Sequence, residues 1–229
     1  MFLDFKKNSR AYKLITVFVM VSLILAAIFS IWEKNWLNLF TTVITITLFL
    51  IVQLFQDKYN FKLHSELQIT VLLFIYASVF LGGVADFYNR FSWFDSLLHT
   101  VSGLGLGFLG FIILYSLYKT GKMKTSPFLV SFFAFCFALS LGVLWEIFEF
   151  LMDEMFDSDM QKARNLEYVY GYFETRLGLL DTMKDLMLDA LGALTASTIG
   201  YLYLKGGDFK IFKKLISNVE ESNPHYFEK

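Results

Sequence analysis

Six stretches of about 19–25 mostly apolar residues recur along this 229-residue chain, each long enough to cross ~30 Å of hydrocarbon as a helix. A lipid interior offers no water to backbone N–H and C=O groups. Such stretches therefore have one solution, the α-helix, whose hydrogen bonds close within the segment. The spans fall at 14–32, 36–55, 67–85, 97–118, 128–152 and 183–204, with a long outer loop over 153–182. The pattern predicts an all-α fold: a polytopic membrane helical bundle of six transmembrane helices, in one domain over 1–229. The first stretch is read as a retained span. It is long for the apolar core of a signal peptide, and Trp32-Glu33-Lys34-Asn35 behind it has the makeup of a tight turn.

The charges are sorted by side, which gives an orientation. With both termini on one side, that side carries fourteen Lys/Arg and seven Asp/Glu, and the other six and fourteen. The basic excess predicts that both termini are cytoplasmic. The basic residues form short clusters between spans, as topology requires, so no nucleic-acid partner is indicated. The single cysteine, Cys136, supplies neither a disulfide framework nor a cysteine metal site.

Against this background the fifth span is anomalous. Glu146, Glu149 and Asp153 are spaced i, i+3, i+7 on one helix face, within and just after an apolar run. Each charge in a span costs roughly 2.5–3.5 kcal/mol on insertion scales unless compensated. They approach a helix C-terminus, where the dipole disfavours carboxylates. Threading six spans brings other ionisable groups to the same outer level: Asp95 and His99 on the fourth span, Asp185 and Asp189 on the sixth, and Asp86 and Arg90 in the connection between the third and fourth. Ordinary explanations exist for some of them. Ser92-x-x-Asp95 and Thr182-x-x-Asp185 fit capping boxes, and Asp181 fits an N-cap. Those explanations do not reach Asp189, two turns into its span, or His99, one turn after Asp95.

Small residues allow the three spans to meet. Gly103, Gly107 and Gly110 repeat on the fourth, and Gly192, Ala196 and Gly200 on the sixth. Their packing predicts one acidic pocket holding a histidine. Crowded carboxylates share protons or hold a cation. An imidazole with several carboxylates suits Mg²⁺, Mn²⁺, Fe²⁺ or Zn²⁺. His99, Glu146, Glu149, Asp153, Asp185 and Asp189 are the candidate ligands, with Glu146, Glu149 and His99 as catalytic groups. Asp95 and an arginine clamp from Arg90, Arg164 or Arg176 are candidates for binding substrate. Membrane lipids are the expected partners, and the phosphate head group of a lipid or lipid-linked molecule the expected substrate, which would make the chain a metal-dependent hydrolase or transferase. The loop, with Tyr168, Tyr170, Tyr172 and Phe173, is long enough to act as a lid or interfacial segment. Ser102, one turn below His99, is read as a chance Ser/His pair. A cation- or proton-coupled transporter is the alternative, though its acids belong near the midplane with a path to both sides. A non-catalytic factor binding a partner through the outer pocket and loop is the other.

Three stretches together, Trp93-Phe94-Asp95-x-x-x-His99-x-x-Ser102-Gly103, Trp145-Glu146-x-x-Glu149 and Asp181-Thr182-x-x-Asp185-x-x-x-Asp189-x-x-Gly192-Ala193, resemble the YjdF-like family of bacterial inner-membrane proteins. The resemblance covers about the second half of the chain. It implies a bacterial plasma membrane and a multi-span fold, and supplies no reaction. The last stretch also resembles the end of VanZ-like proteins, a family linked to glycopeptide antibiotic tolerance, in which Asn usually stands where this chain has Asp189.

Overall fold

The computed structural model describes residues 10–156, 159–161 and 176–228. The described residues form helices and no strands. Helices α1 (Arg10–Trp32) and α2 (Trp36–Lys58) are followed by α3 (Ser65–Ile75), which runs on as a wider π-helical segment, Tyr76–Val84. After the short α4 (Phe87–Arg90) come α5 (Phe94–Lys119), α6 (Pro127–Phe156) and α7 (Arg176–Leu204). Two further helices follow, α8 (Lys210–Ser222) and α9 (Pro224–Phe227). Six helices among the described residues are long and apolar enough to cross a membrane, as the sequence predicts. Their exposed faces carry Leu14, Phe18, Leu25, Phe40, Leu54, Phe128, Phe132 and Leu144, the side chains a lipid-facing surface requires.

The chain divides into two compact units. The first runs to Phe94 and includes Ser217–Tyr226. Its core is Val19 and Leu23 of α1, Phe49 of α2, and Leu72, Tyr76 and Phe80 of α3 and its continuation. Tyr76 also shares a 2.9 Å hydrogen bond with Ser22. The π-helical segment is held by Tyr88, whose hydroxyl donates to the Ser78 carbonyl at 2.8 Å and whose ring fills the space beside Gly82. Asn223, fully buried, accepts from the Lys62 N–H and donates to the Lys62 carbonyl, so it pairs with both backbone groups of one residue. Asn35 caps α2, accepting from Asn38 N–H at 3.1 Å, and Lys34 (φ 55°) completes the turn read from Trp32–Asn35.

The second unit, Asp95–Ile216 with Phe227, holds α5, α6 and α7. Almost every residue of α6 is exposed or half-buried except one stripe at near-fourfold spacing: Val130, Ala134, Ala138, Gly142, Glu146, Glu149 and Asp153. Small side chains make up the first part of this stripe and acids the last. The glycine ridge of α5 splits between two partners. A Cβ at Gly103 would strike the Asp189 carbonyl, and one at Gly107 would come 2.9 Å from Ala196 Cβ, both on α7. One at Gly110 would meet Phe137 and Ala134 of α6. Gly192 answers from α7, where a Cβ would strike the Thr100 carbonyl.

Two sequence boundaries change. Helix α7 starts at Arg176 rather than at 183, so Asp181, Thr182 and Asp185 lie inside a helix and the capping reading of these residues is wrong. Helix α6 likewise continues to Phe156, which places all three of its acids within the helix. The long loop is correspondingly shorter, and Tyr168, Tyr170, Tyr172 and Phe173 lie outside the described residues.

A Gly103→Val chain should lose the α5–α7 contact, because the added side chain has only the Asp189 backbone to displace. We expect destabilisation of about 1–3 kcal/mol or more, read as a lower midpoint in thermal unfolding of detergent-solubilised protein. Gly105→Ala, where a Cβ meets nothing within 4 Å, is the matched control and should be silent.

Candidate metal centre

Three helices deliver buried ionisable groups to one place. From the first turn and a half of α5 come Asp95 and His99, one helical turn apart on one face. Glu146 and Glu149 come from the end of the α6 stripe, and Asp185 and Asp189, again one turn apart, from α7. All six are buried.

His99 is at the centre. Its Nδ1 lies 3.2 Å from Asp189 Oδ2. Its Nε2 faces the opposite way, 3.8 Å from Asp95 Oδ1, 3.8 Å from Glu146 Oε1 and 3.9 Å from Asp185 Oδ2. Asp189 stands where metal-binding histidines keep an orienting carboxylate, which in such sites holds the proton on one ring nitrogen and leaves the other to the ion. Asp189 is itself fixed. The Ser102 hydroxyl is 2.6 Å from its Oδ1, and Gly142 leaves the space on α6 that its Oδ2 fills. A Cβ at position 142 would come 2.5 Å from that oxygen.

The arrangement fits a bound cation. One ligand atom each from Asp95, His99 and Asp185 lie within 4.8 Å of one another. Tetrahedral zinc with bonds of 2.0–2.1 Å has donor–donor edges of about 3.3 Å, tighter than the 3.8–3.9 Å from His99 Nε2 to the Asp95 and Asp185 oxygens and than the 4.8 Å that bounds the set, so the side chains would move inward to close on an ion. Glu146 Oε1 and Asp185 Oδ1 are buried with no hydrogen-bond partner. A buried carboxylate oxygen in that state is costly, and a metal ion would satisfy it. Among the described residues the basic group paired with the cluster beside the imidazole is Lys184, whose Nζ is 3.6 Å from Asp185 Oδ1 and whose side chain is 46% exposed. One nitrogen with carboxylate oxygens suits Mn²⁺, Fe²⁺ or Zn²⁺ better than Mg²⁺, which favours all-oxygen shells.

The structure separates roles that sequence reasoning pooled. Asp95, assigned from sequence to substrate, stands beside His99 Nε2 with the ligand set. Asp189, assigned as a ligand, is on the far side of the imidazole. Asp153 turns away from the cluster: its Oδ1 accepts from Met160 N–H at 2.7 Å and its Oδ2 from Gln161 N–H at 3.0 Å. Both of its oxygens are thereby used in pinning the start of the loop. Glu149 accepts from Trp145 Nε1 at 2.8 Å and lies within Coulombic reach of Glu146 and Asp95. Arg90 forms an exposed pair with Asp86, 3.8 Å apart, in the first unit. Arg176 is exposed at the start of α7, and Arg164 lies outside the described residues.

Sequence reasoning missed three contributors. Ser102 holds Asp189 rather than acting as a partner nucleophile. Thr182, read as a cap, hydrogen-bonds Glu146 and accepts from Gln161 Nε2 at 2.9 Å. Gly142 makes room for Asp189. The signal for Gly142 was its place four residues before Glu146 on the same stripe.

The family described as "Predicted membrane protein (DUF2238)" matches residues 14–206, a stretch that contains every residue of the cluster. The chain belongs to this family. It is a multi-pass membrane protein with six apolar helices. A Thermotoga maritima relative, described as an uncharacterized protein, is 32% identical over 147 residues, which make up 60% of this chain and 65% of the relative. The chain thus spans just under two thirds of the length of that curated relative. No solved structure matches the chain.

The Asp153 clamp makes a prediction independent of any metal. Asp153→Ala removes the acceptor for two backbone N–H groups at Met160 and Gln161. The loop start should then be cut faster by added protease, by about fivefold for each ~1 kcal/mol of lost hydrogen bonding, while the spans remain protected.

Proposed function

We propose that this chain is a divalent-metal-dependent membrane enzyme, a hydrolase or transferase acting on the phosphate head group of a lipid or lipid-linked substrate. The observation that carries the reading is the two-sided environment of His99, with Asp189 at Nδ1 and three carboxylate oxygens about Nε2. Metal-ligating histidines typically have this arrangement, a carboxylate on the nitrogen that does not bind the metal.

In this reading His99, Asp95, Asp185 and Glu146 hold the ion. When bound, the ion would polarise a phosphoryl oxygen and lower the pKa of a coordinated water. Asp189, with Ser102, is a positioning residue that fixes the imidazole. Glu149 is the candidate general base, because it is buried beside the ligand set and one of its oxygens is oriented by Trp145. Thr182 orients Glu146, and Gln161 fixes Thr182. Arg176 and Arg164 remain the candidate clamp for a phosphate. Within the family we assign the chain to the YjdF-like group of bacterial inner-membrane proteins. From the excess of basic residues at the other ends of the spans, we assign the site to the outer side, with both termini cytoplasmic.

One observation favours cation transport as a second reading. Asp189 stands near the middle of α7, thirteen residues after Arg176 and fifteen before Leu204. An intramembrane acid at such a depth is also how transporters hold ions. Flux of Mn²⁺ or Zn²⁺ into protein-loaded vesicles, absent from empty ones and abolished by Asp189→Asn, would favour transport over chemistry.

The metal reading predicts about one equivalent of Mn²⁺, Fe²⁺ or Zn²⁺ bound to the purified full chain. His99→Ala and Asp185→Asn should abolish it. Asp189→Asn, which keeps the ligands and loses the orienting charge, should weaken binding by about 10–100-fold. Elemental analysis and a metal titration followed by thermal shift read both effects. A chain that binds none of these metals and shows no shift would sink the enzyme reading and the transport reading together.

A further inference from the structure

At the far end of α5 and α7 from the acidic cluster lies a hollow of about 450 Å³. His99 and Tyr115 are sixteen residues apart on α5, so the two places are separated by roughly 24 Å along the helix at 1.5 Å per residue. The hollow is lined by Tyr118 and Lys119 of α5, Tyr203 of α7, Lys213 of α8 and the backbone of Gly206–Gly207. Two ammonium groups and three tyrosines, Tyr115 among them, line it. Among the described residues no carboxylate does.

Its construction differs from a loose surface of lysines. Two of its tyrosines belong to an edge-to-face aromatic cluster: Phe212 meets Phe111 at 5.3 Å and Tyr203 at 5.9 Å between ring centroids, and Tyr203 meets Tyr115 at 6.1 Å. Lys119 Nζ is held 5.9 Å from the centroids of both Tyr115 and Phe227, which places one cation at a fixed point on the rim. Lys213, which lines the hollow from α8, has no described carboxylate within ion-pair distance, and the hydroxyls of Tyr118 and Tyr203 donate to no described protein group. Gly206 takes φ +91°, which turns the chain sharply after α7 and leaves its backbone bare along the hollow.

The surroundings place this hollow at a membrane boundary. It sits in the last turns of two membrane-spanning helices. Helix α8 then turns its apolar Phe212 and Ile216 inward while leaving Lys210, Lys213 and Lys214 exposed. Ile211, on the same outer surface, is 81% exposed. A basic helix with an exposed aliphatic side chain beside its lysines suits the head-group region of a bilayer. Lysine at a helix C-terminus and basic residues between spans are ordinary in themselves. They do not account for a concave site lined by three tyrosines, with two of their hydroxyls left over and no acid among its described lining residues.

We infer that this hollow binds the phosphate group of an anionic ligand at the membrane boundary, with the head group of an anionic phospholipid as the source its position favours. Lys119 and Lys213 supply the charge, and Tyr118 and Tyr203 supply hydroxyl donors. The inference is independent of the metal reading, because no residue is shared.

Native mass spectrometry of the full chain in detergent, with added phosphatidylglycerol or phosphatidylcholine, tests it. Phosphatidylglycerol should be retained well above phosphatidylcholine. Lys213→Gln and Lys119→Gln should each weaken retention by about fivefold, the loss expected for one lysine near an anionic head group. Lys119→Arg should retain it, which separates lost charge from lost folding. Lys122→Gln, in the same basic connection but outside the hollow, should have no effect. Retention that survives excess inorganic phosphate assigns the site to lipid; displacement by inorganic phosphate supports the phosphate site and assigns it to a soluble ligand. Equal retention of the two lipids, or an equal loss in Lys122→Gln and Lys213→Gln, overturns the inference, since general surface charge would then explain the data.

Discussion

The contact between His99 Nδ1 and Asp189 Oδ2 is the interaction on which the second unit depends. It joins α5 to α7 across a seam where neither helix has a side chain to spare. Gly103 admits the Asp189 backbone, Gly192 admits that of Thr100, and Gly142 on α6 leaves room for the carboxylate itself. In a bilayer such close approach replaces the hydrophobic drive that would bring helices together in water. The polar contact and the small-residue seam therefore depend on each other. Without the glycines the carboxylate would not reach the imidazole. Without the imidazole it would be a buried charge without its partner.

Most of the fold was legible in the sequence because lipid removes alternatives. A run of twenty apolar residues with its backbone groups to satisfy is a helix, and all six runs are. The boundaries were less legible, since hydropathy falls before a helix ends. Asp181 and Thr182 lower the apolar average of a segment that is helical from Arg176, and so they imitated a cap. The C-terminal segment lies beyond the last span predicted from sequence, and hydropathy assigns no element there. Phe212, Ile216 and Val219 are buried at i, i+4, i+7, and this amphipathic period was overlooked beside its lysines.

The composition of the site was legible for a related reason: ionisable residues are rare in spans and conspicuous there. Their individual roles were not. Spacing shows which residues share a helix face, and Asp185 and Asp189 share one, yet they meet opposite edges of the same imidazole. Nothing along the chain separates an acid at Nε2 from an acid at Nδ1, because that depends on the rotation of α5 against α7. Asp153 shares a face with Glu146 and Glu149 and is nevertheless committed to the backbone of Met160 and Gln161.

Stability does not explain why these acids are here. Two like unit charges 4 Å apart repel by roughly 4 kcal/mol at an effective dielectric of 20, and the cluster holds an Asp95 and an Asp185 oxygen within 4.8 Å of each other. Buried ion pairs replaced by well-packed apolar residues often leave a protein equally stable or more so. The upper part of the α6 stripe shows how this bundle packs where charge is not needed, with Val130, Ala134 and Ala138 almost completely buried. Continuing that pattern through 146, 149 and 153 would pack three helices at no electrostatic cost. Acids were retained instead, and two of their oxygens, Glu146 Oε1 and Asp185 Oδ1, have no hydrogen-bond partner. A purely structural network would have paired them. Asp185 Oδ1 has the half-exposed Lys184 ammonium 3.6 Å away, but Glu146 Oε1, 3.8 Å from a histidine nitrogen whose opposite nitrogen is already tied, favours a cation as the missing partner.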